Sequence, residues 1–145
     1  MNTQQILAAI AASPALQALA DVRNDGELAK QLSIGQTKVA SRFTSARGVL
    51  EKYPGGPIQA DALLSKLEAF ANAGTPLSSL VKRANGFLAQ PDGLDLGSAA
   101  TIAMLGALKT YNAITQAEHD GLISIATFPD PVSVDQVSAA LNGGI

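Results

Sequence analysis

The chain has 145 residues, a formal net charge of −2, and only 22 charged side chains. It holds one histidine, no cysteine and no tryptophan, but 26 alanines, a composition that argues against most enzymes and against zinc-type metal sites. At this length one domain can bury a core without bridges or metal, and a near-neutral charge balance exerts no overall pull toward nucleic acid or anionic lipid.

Helix signals recur from the start of the chain. Ile6, Leu7 and Ile10 mark a first helix with Thr3 as its N-cap, and Ser13-Pro14 caps and opens a second that runs to about Val22. The first twenty residues are uncharged and apolar. They lack a basic leader region, and Ser13-Pro14 divides them, so they read as two core helices instead of a cleaved signal or a membrane span. Asn24-Asp25-Gly26 reads as a turn, followed by a short helix over 27–32 and a longer one from about Gln36 to Tyr53.

Pro54-Gly55-Gly56-Pro57 cannot continue a helix and reads as a hinge between an N-terminal subassembly (1–53) and a C-terminal one (58–142). Beyond it, Leu63, Leu64, Leu67, Phe70 and Ala71 recur at helical spacing, as do Leu77, Leu80, Val81, Ala84, Phe87 and Leu88. Gly74-Thr75-Pro76 separates these runs as stop, N-cap and first-turn proline, which makes them an antiparallel pair. After Pro91-Asp92-Gly93, Ser98 starts a helix with Ile102, Leu105 and Leu108 inward. A T-x-x-E capping box (Thr115, Glu118) and an S-x-x-Q box (Ser133, Gln136) open two more helices, and Gly143-Gly144 ends the last. The expected fold is all-α, a compact single-domain bundle (1–145) of about seven short helices around a single core.

His119 lies between Glu118 and Asp120, but no second histidine or cysteine exists to complete a metal site, and no G-x-S-x-G elbow, Walker lysine or calcium loop accompanies it. Glu118 is already explained by the capping box. No catalytic, cofactor-binding or metal residue is assigned, and no cofactor is expected. Charge is unevenly placed: residues 23–52 carry Arg23, Lys30, Lys38, Arg42, Arg47 and Lys52 against three acids, whereas 91–145 carries six acids and Lys109. A basic front facing the acidic rear of a neighbouring copy would give a head-to-tail contact.

Residues 27–43 (ELAKQLSIGQTKVASRF) resemble the helix-turn-helix of small DNA-binding regulators. Ala29 matches the small residue at the helix crossing, and Leu28, Leu32, Ile34 and Val39 match buried positions. Arg42 stands at the motif's late apolar position, and Gly35 falls two residues after its turn glycine. The resemblance implies that Gln36, Thr37, Lys38 and Arg42 contact DNA from a recognition helix.

A broader likeness spans most of residues 20–140. The order Asn24-Asp25-Gly26-Glu27-Leu28-Ala29, Leu32-Ser33-Ile34-Gly35-Gln36-Thr37, Ser45-Ala46-Arg47-Gly48, Gly93-Leu94-Asp95, Thr115-Gln116-Ala117-Glu118 and Pro129-Asp130-Pro131-Val132-Ser133 is similar to small helical virion and tail proteins of tailed bacteriophages. That resemblance implies a non-enzymatic structural or adaptor component of a tail, neck or host-contact assembly. It would be present in the virion, and in the host cytoplasm during assembly, with other virion proteins or copies of itself as partners. DNA binding through residues 27–43 is the alternative.

Overall fold

The computed structural model describes residues 1–143; Gly144, half of the expected C-terminal stop, lies outside them. The described chain is mostly helical, with nine helices instead of about seven, and it carries four short strands that the expectation omitted. It divides into two compact units, one formed by residues 1–38 with 128–143 and one by 39–127. Strands β1 (Thr37–Val39) and β4 (Thr127–Pro129) pair with each other. The single core expected from the sequence is replaced by two clusters of buried residues.

The first unit is built from both ends of the chain: α1 (Thr3–Ala11), α2 (Pro14–Asp21), α3 (Asp25–Leu32) and α9 (Val134–Gly143). Asn2, not Thr3, caps α1, in a reciprocal box with Gln5 whose two bonds are both 2.9 Å. Ser13 caps α2 with Pro14 in its first turn. Arg23 then takes a left-handed conformation (φ 52) and closes α2 as a Schellman motif, its N–H on the Ala20 carbonyl and that of Asn24 on Leu19. Asn24 is the N-cap of α3, so Asn24-Asp25-Gly26 is a helix start as well as a turn. Ile6, Ile10, Leu28, Ala29 and Leu32 pack with Val132, Val137 and Ala140, so the core joins residues more than a hundred positions apart. The reciprocal box between Ser133 and Gln136 forms at the start of α9, with bonds of 2.8 and 3.1 Å.

In the second unit β2 (Phe43–Thr44) is followed by α4 (Ala46–Lys52), α5 (Pro57–Ala71), α6 (Pro76–Leu88), β3 (Leu94–Asp95), α7 (Ala99–Thr110) and α8 (Gln116–Ile125). Side chains of Ser45, Thr75, Ser98 and Thr115 cap α4, α6, α7 and α8, and the Thr115–Glu118 box is complete. Tyr53, Leu63, Leu67, Val81, Leu105, Leu108 and Leu122 are among the buried side chains that these helices share. Residues 54–57 turn the chain between α4 and α5 inside this one core, since Val49 and Tyr53 lie in the same cluster as Ala60 and Leu63. Gly56 (φ 92) is the N-cap of α5, a position where a left-handed backbone favours glycine.

The long helix expected from Gln36 to Tyr53 starts only at Ala46. Residues 37–39 and 43–44 are extended, in agreement with the strand preference of β-branched Thr37, Val39 and Thr44, and Gly35 (φ 74) ends the helical run before them. The second helix of the helix-turn-helix reading is therefore not formed. Charges from the front and rear of the chain meet within the first unit, where Lys38 lies 3.9 Å from Asp130.

Candidate functional site: an apolar groove on the second unit

The helical stripe of α6 carries more apolar side chains than its core can cover. Val81, Ala84 and Leu88 are buried, while Leu80 remains 48% exposed and Phe87 52%. Phe43 on β2, 64% exposed, joins them around an open groove of about 340 Å³, with Leu94 of β3 and Met104 of α7 also in its lining. Scattered exposed apolar residues are ordinary on a protein surface; three large ones around one concavity are not.

The β2–β3 pairing holds Phe43 in place. Phe43 stands opposite Asp95 and Thr44 opposite Leu94 in an antiparallel register. The Asp95 carboxylate accepts the Ser41 hydroxyl at 2.7 Å, the Arg42 backbone N–H at 2.9 Å and the Gly97 N–H at 3.0 Å. Those bonds, that from Ser41 foremost and then Arg42, hold the Asp95 carboxyl below the usual carboxylate range. The Leu96 N–H continues the ladder onto the Arg42 carbonyl at 3.1 Å. Gly93 (φ 81) and Gly97 allow the close approach of backbones that this corner requires: a Cβ on Gly93 would strike Thr44, and one on Gly97 the Ala40 carbonyl.

Two charged side chains line the groove, Arg83 and Asp95. The hydrogen bonds just described occupy the Asp95 carboxylate. Arg83 is exposed, and among the described residues no carboxylate or hydrogen-bond acceptor pairs with it. The groove therefore presents an apolar surface with one unsatisfied cation.

The residues expected to contact DNA do not share a helix. Gln36 precedes β1, and its carbonyl accepts the Asp130 N–H at 2.9 Å. Thr37 and Lys38 lie on β1, and Lys38 faces Asp130. Arg42 donates to the Ile125 carbonyl at 3.2 Å, a bond that ties the approach to β2 to the end of α8. His119 is half-buried in the first turn of α8; its Nδ1 lies 2.9 Å from Asp120 Oδ1, which also accepts the Gln116 amide at 2.7 Å. These contacts, led by His119, lower the Asp120 carboxyl's affinity for its proton. Among the described residues no three histidines or acids are grouped to hold a metal ion.

Sequence periodicity pointed at the groove without identifying it. Six apolar residues between Leu77 and Leu88 form one helical stripe, and only the fold decides that its Leu80 and Phe87 edge remains open. Phe43 gave no comparable signal, because its partners on β3 are about fifty positions away.

Comparison with protein families, curated proteins and solved structures finds no match to this chain. No helix among the described residues is long and apolar enough to cross a membrane.

Proposed function

We propose that this protein is a non-enzymatic structural or adaptor component of a phage virion or tail assembly, and that it docks to other virion proteins through the groove of its second unit. The observation that carries the docking role is the set of Phe43, Leu80 and Phe87, large apolar side chains held half or more exposed around one concavity. Aromatic anchors at a well-defined groove are the usual energetic centres of protein contacts. The phage setting rests on the sequence likeness along residues 20–140.

Mass spectrometry of purified particles tests the setting, and carrying Phe87→Ser into the phage tests the surface. The wild-type polypeptide is expected in intact virions at a fixed ratio to other virion proteins, with incorporation lost in the variant. Absence of the protein from intact particles would overturn the virion role. Incorporation of Phe87→Ser at the wild-type level would overturn the use of the groove. Nanomolar, sequence-selective binding to duplex DNA would favour a regulator instead.

A further inference from the structure

We infer that the groove takes an amphipathic α-helix of a partner protein, whose apolar ridge packs between Phe43, Leu80 and Phe87 and whose carboxylate pairs with Arg83. This rests on the reading of the groove as a docking surface and adds the class of its occupant.

Three properties of the groove select a helix. Its lining is almost wholly apolar, so an extended segment would bury its own backbone N–H and C=O groups without partners, whereas a helix satisfies them internally. The groove is open along one side, so it covers one face of a ligand and cannot enclose most of a small molecule's surface as ligand cavities do. Its own wall is helical on one side, where Leu80, Ala84 and Phe87 recur at i, i+4 and i+7, the spacing of a ridge that meshes with side chains of a second helix. Met104 in the lining supplies a side chain that adapts to different apolar contours.

Charge selects the polar part of the partner. Asp95 already accepts three hydrogen bonds, from Ser41, Arg42 and Gly97, which anchor it to the β2–β3 corner. Arg83 has no acidic partner among the described residues, and its planar guanidinium matches a carboxylate in a two-pronged pairing. An acidic residue beside the apolar ridge of the incoming helix therefore completes the site, and a basic one there is repelled.

The test selects displayed random peptides of roughly fifteen residues, about four helical turns, on the full-length protein and titrates those retained. The expected sequences carry apolar residues at i, i+3 or i+4, and i+7 with Asp or Glu alongside, and they gain helical circular dichroism on binding. Their affinity should be lost in Phe87→Ser and in Leu80→Ser. Both replacements fall on exposed positions, and their unchanged circular dichroism serves as the folding control. Arg83→Gln should weaken an acid-bearing peptide about tenfold and leave its amide counterpart unaffected, as for a removed charge-assisted pair. Retention of proline-rich, extended or basic peptides, retention of none, or binding indifferent to Leu80→Ser and Phe87→Ser would overturn the inference, as would equal affinity in Arg83→Gln. Groove-dependent helix binding by a protein missing from particles would refute only the virion setting. Incorporation into particles through Phe87 without helix binding would refute only the helical occupant.

Discussion

The Ser33 hydroxyl and the Val132 backbone, ninety-nine positions apart in sequence, are hydrogen-bonded: Val132 N–H donates to Ser33 Oγ at 2.9 Å. Ser33 in turn donates its proton to the Ala29 carbonyl at 2.6 Å. One side chain thus helps end α3 and fixes the strand-to-helix passage before α9. Val132 is buried, so Ser33→Ala would leave its N–H without an acceptor in an apolar setting. The expected loss is about 1–3 kcal/mol, read by chemical denaturation, with faster hydrogen exchange in α3 and α9. A loss within error would show that water satisfies the Val132 amide.

Two glycines should respond in opposite directions. Gly93 combines a left-handed backbone with direct approach to the Thr44 backbone, so Gly93→Ala meets both conformational strain and a clash against rigid atoms. About 3 kcal/mol or more should be lost. Gly86 lies inside α6 with open space where a Cβ would go, so Gly86→Ala should stabilise by up to about 1 kcal/mol. Thermal melts of the two variants beside the wild type check both signs at once.

His119→Ala should change stability by less than about 1 kcal/mol. The imidazole bonds to neighbouring Asp120, which keeps Gln116, and the Thr115–Glu118 box persists without the ring. A larger fall in the melting temperature would assign it a packing role.

Helix ends were the part of this fold most legible in the sequence. Ser13, Thr75-Pro76, Ser98, Thr115 with Glu118, and Ser133 with Gln136 all cap the helices expected of them, because capping depends on residues within one turn. What stayed hidden depends on distant pairing. Thr37–Val39 and Phe43–Thr44 are too short for period-two alternation to show, and their partner strands lie about ninety and fifty positions away, respectively. Val39 and Phe43, at i and i+4, even mimic helical spacing, hence the expectation of a helix through a stretch that is extended. The joining of α1 and α3 to α9 left no local trace either, since each helix shows only that it has an apolar face. The groove combined both cases, with a visible apolar stripe on α6 and an invisible second wall at Phe43.

Acid should weaken the first unit through Asp25. Its carboxylate accepts two bonds from Arg23, at 3.1 and 2.9 Å, and one from Ser138 at 2.7 Å. Arg23, and then Ser138, lower its pKa to about 2. A carboxyl depressed in the folded state contributes stability above its unfolded value, near 3.9, and that contribution disappears as pH falls from there through about 2. Asp25→Asn should therefore be less stable than wild type at neutral pH and lose less on acidification over that window. Hydrogen exchange of the α3 and α9 amides follows the effect where it arises, and parallel acid sensitivity in both proteins would exclude Asp25 as its source.

The Asp95 carboxylate supports the groove wall that carries Phe43, which separates the two obvious replacements. Asp95→Ala removes the acceptor of both the Arg42 and Gly97 amides, at 2.9 and 3.0 Å, and of the Ser41 hydroxyl. Partly buried amides left without acceptors make this the costlier change, and the Phe43 corner should loosen with it. Asp95→Asn keeps the Oδ1 acceptor facing both amides, needs only the Ser41 hydroxyl to reorient, and should cost less than Asp95→Ala. Helical peptides selected on the groove should consequently bind Asp95→Asn nearly as well as wild type and Asp95→Ala much more weakly. Equal binding by both variants would mean that Phe43 needs no support from Asp95, and that Leu80 and Phe87 on the rigid α6 suffice to form the docking surface.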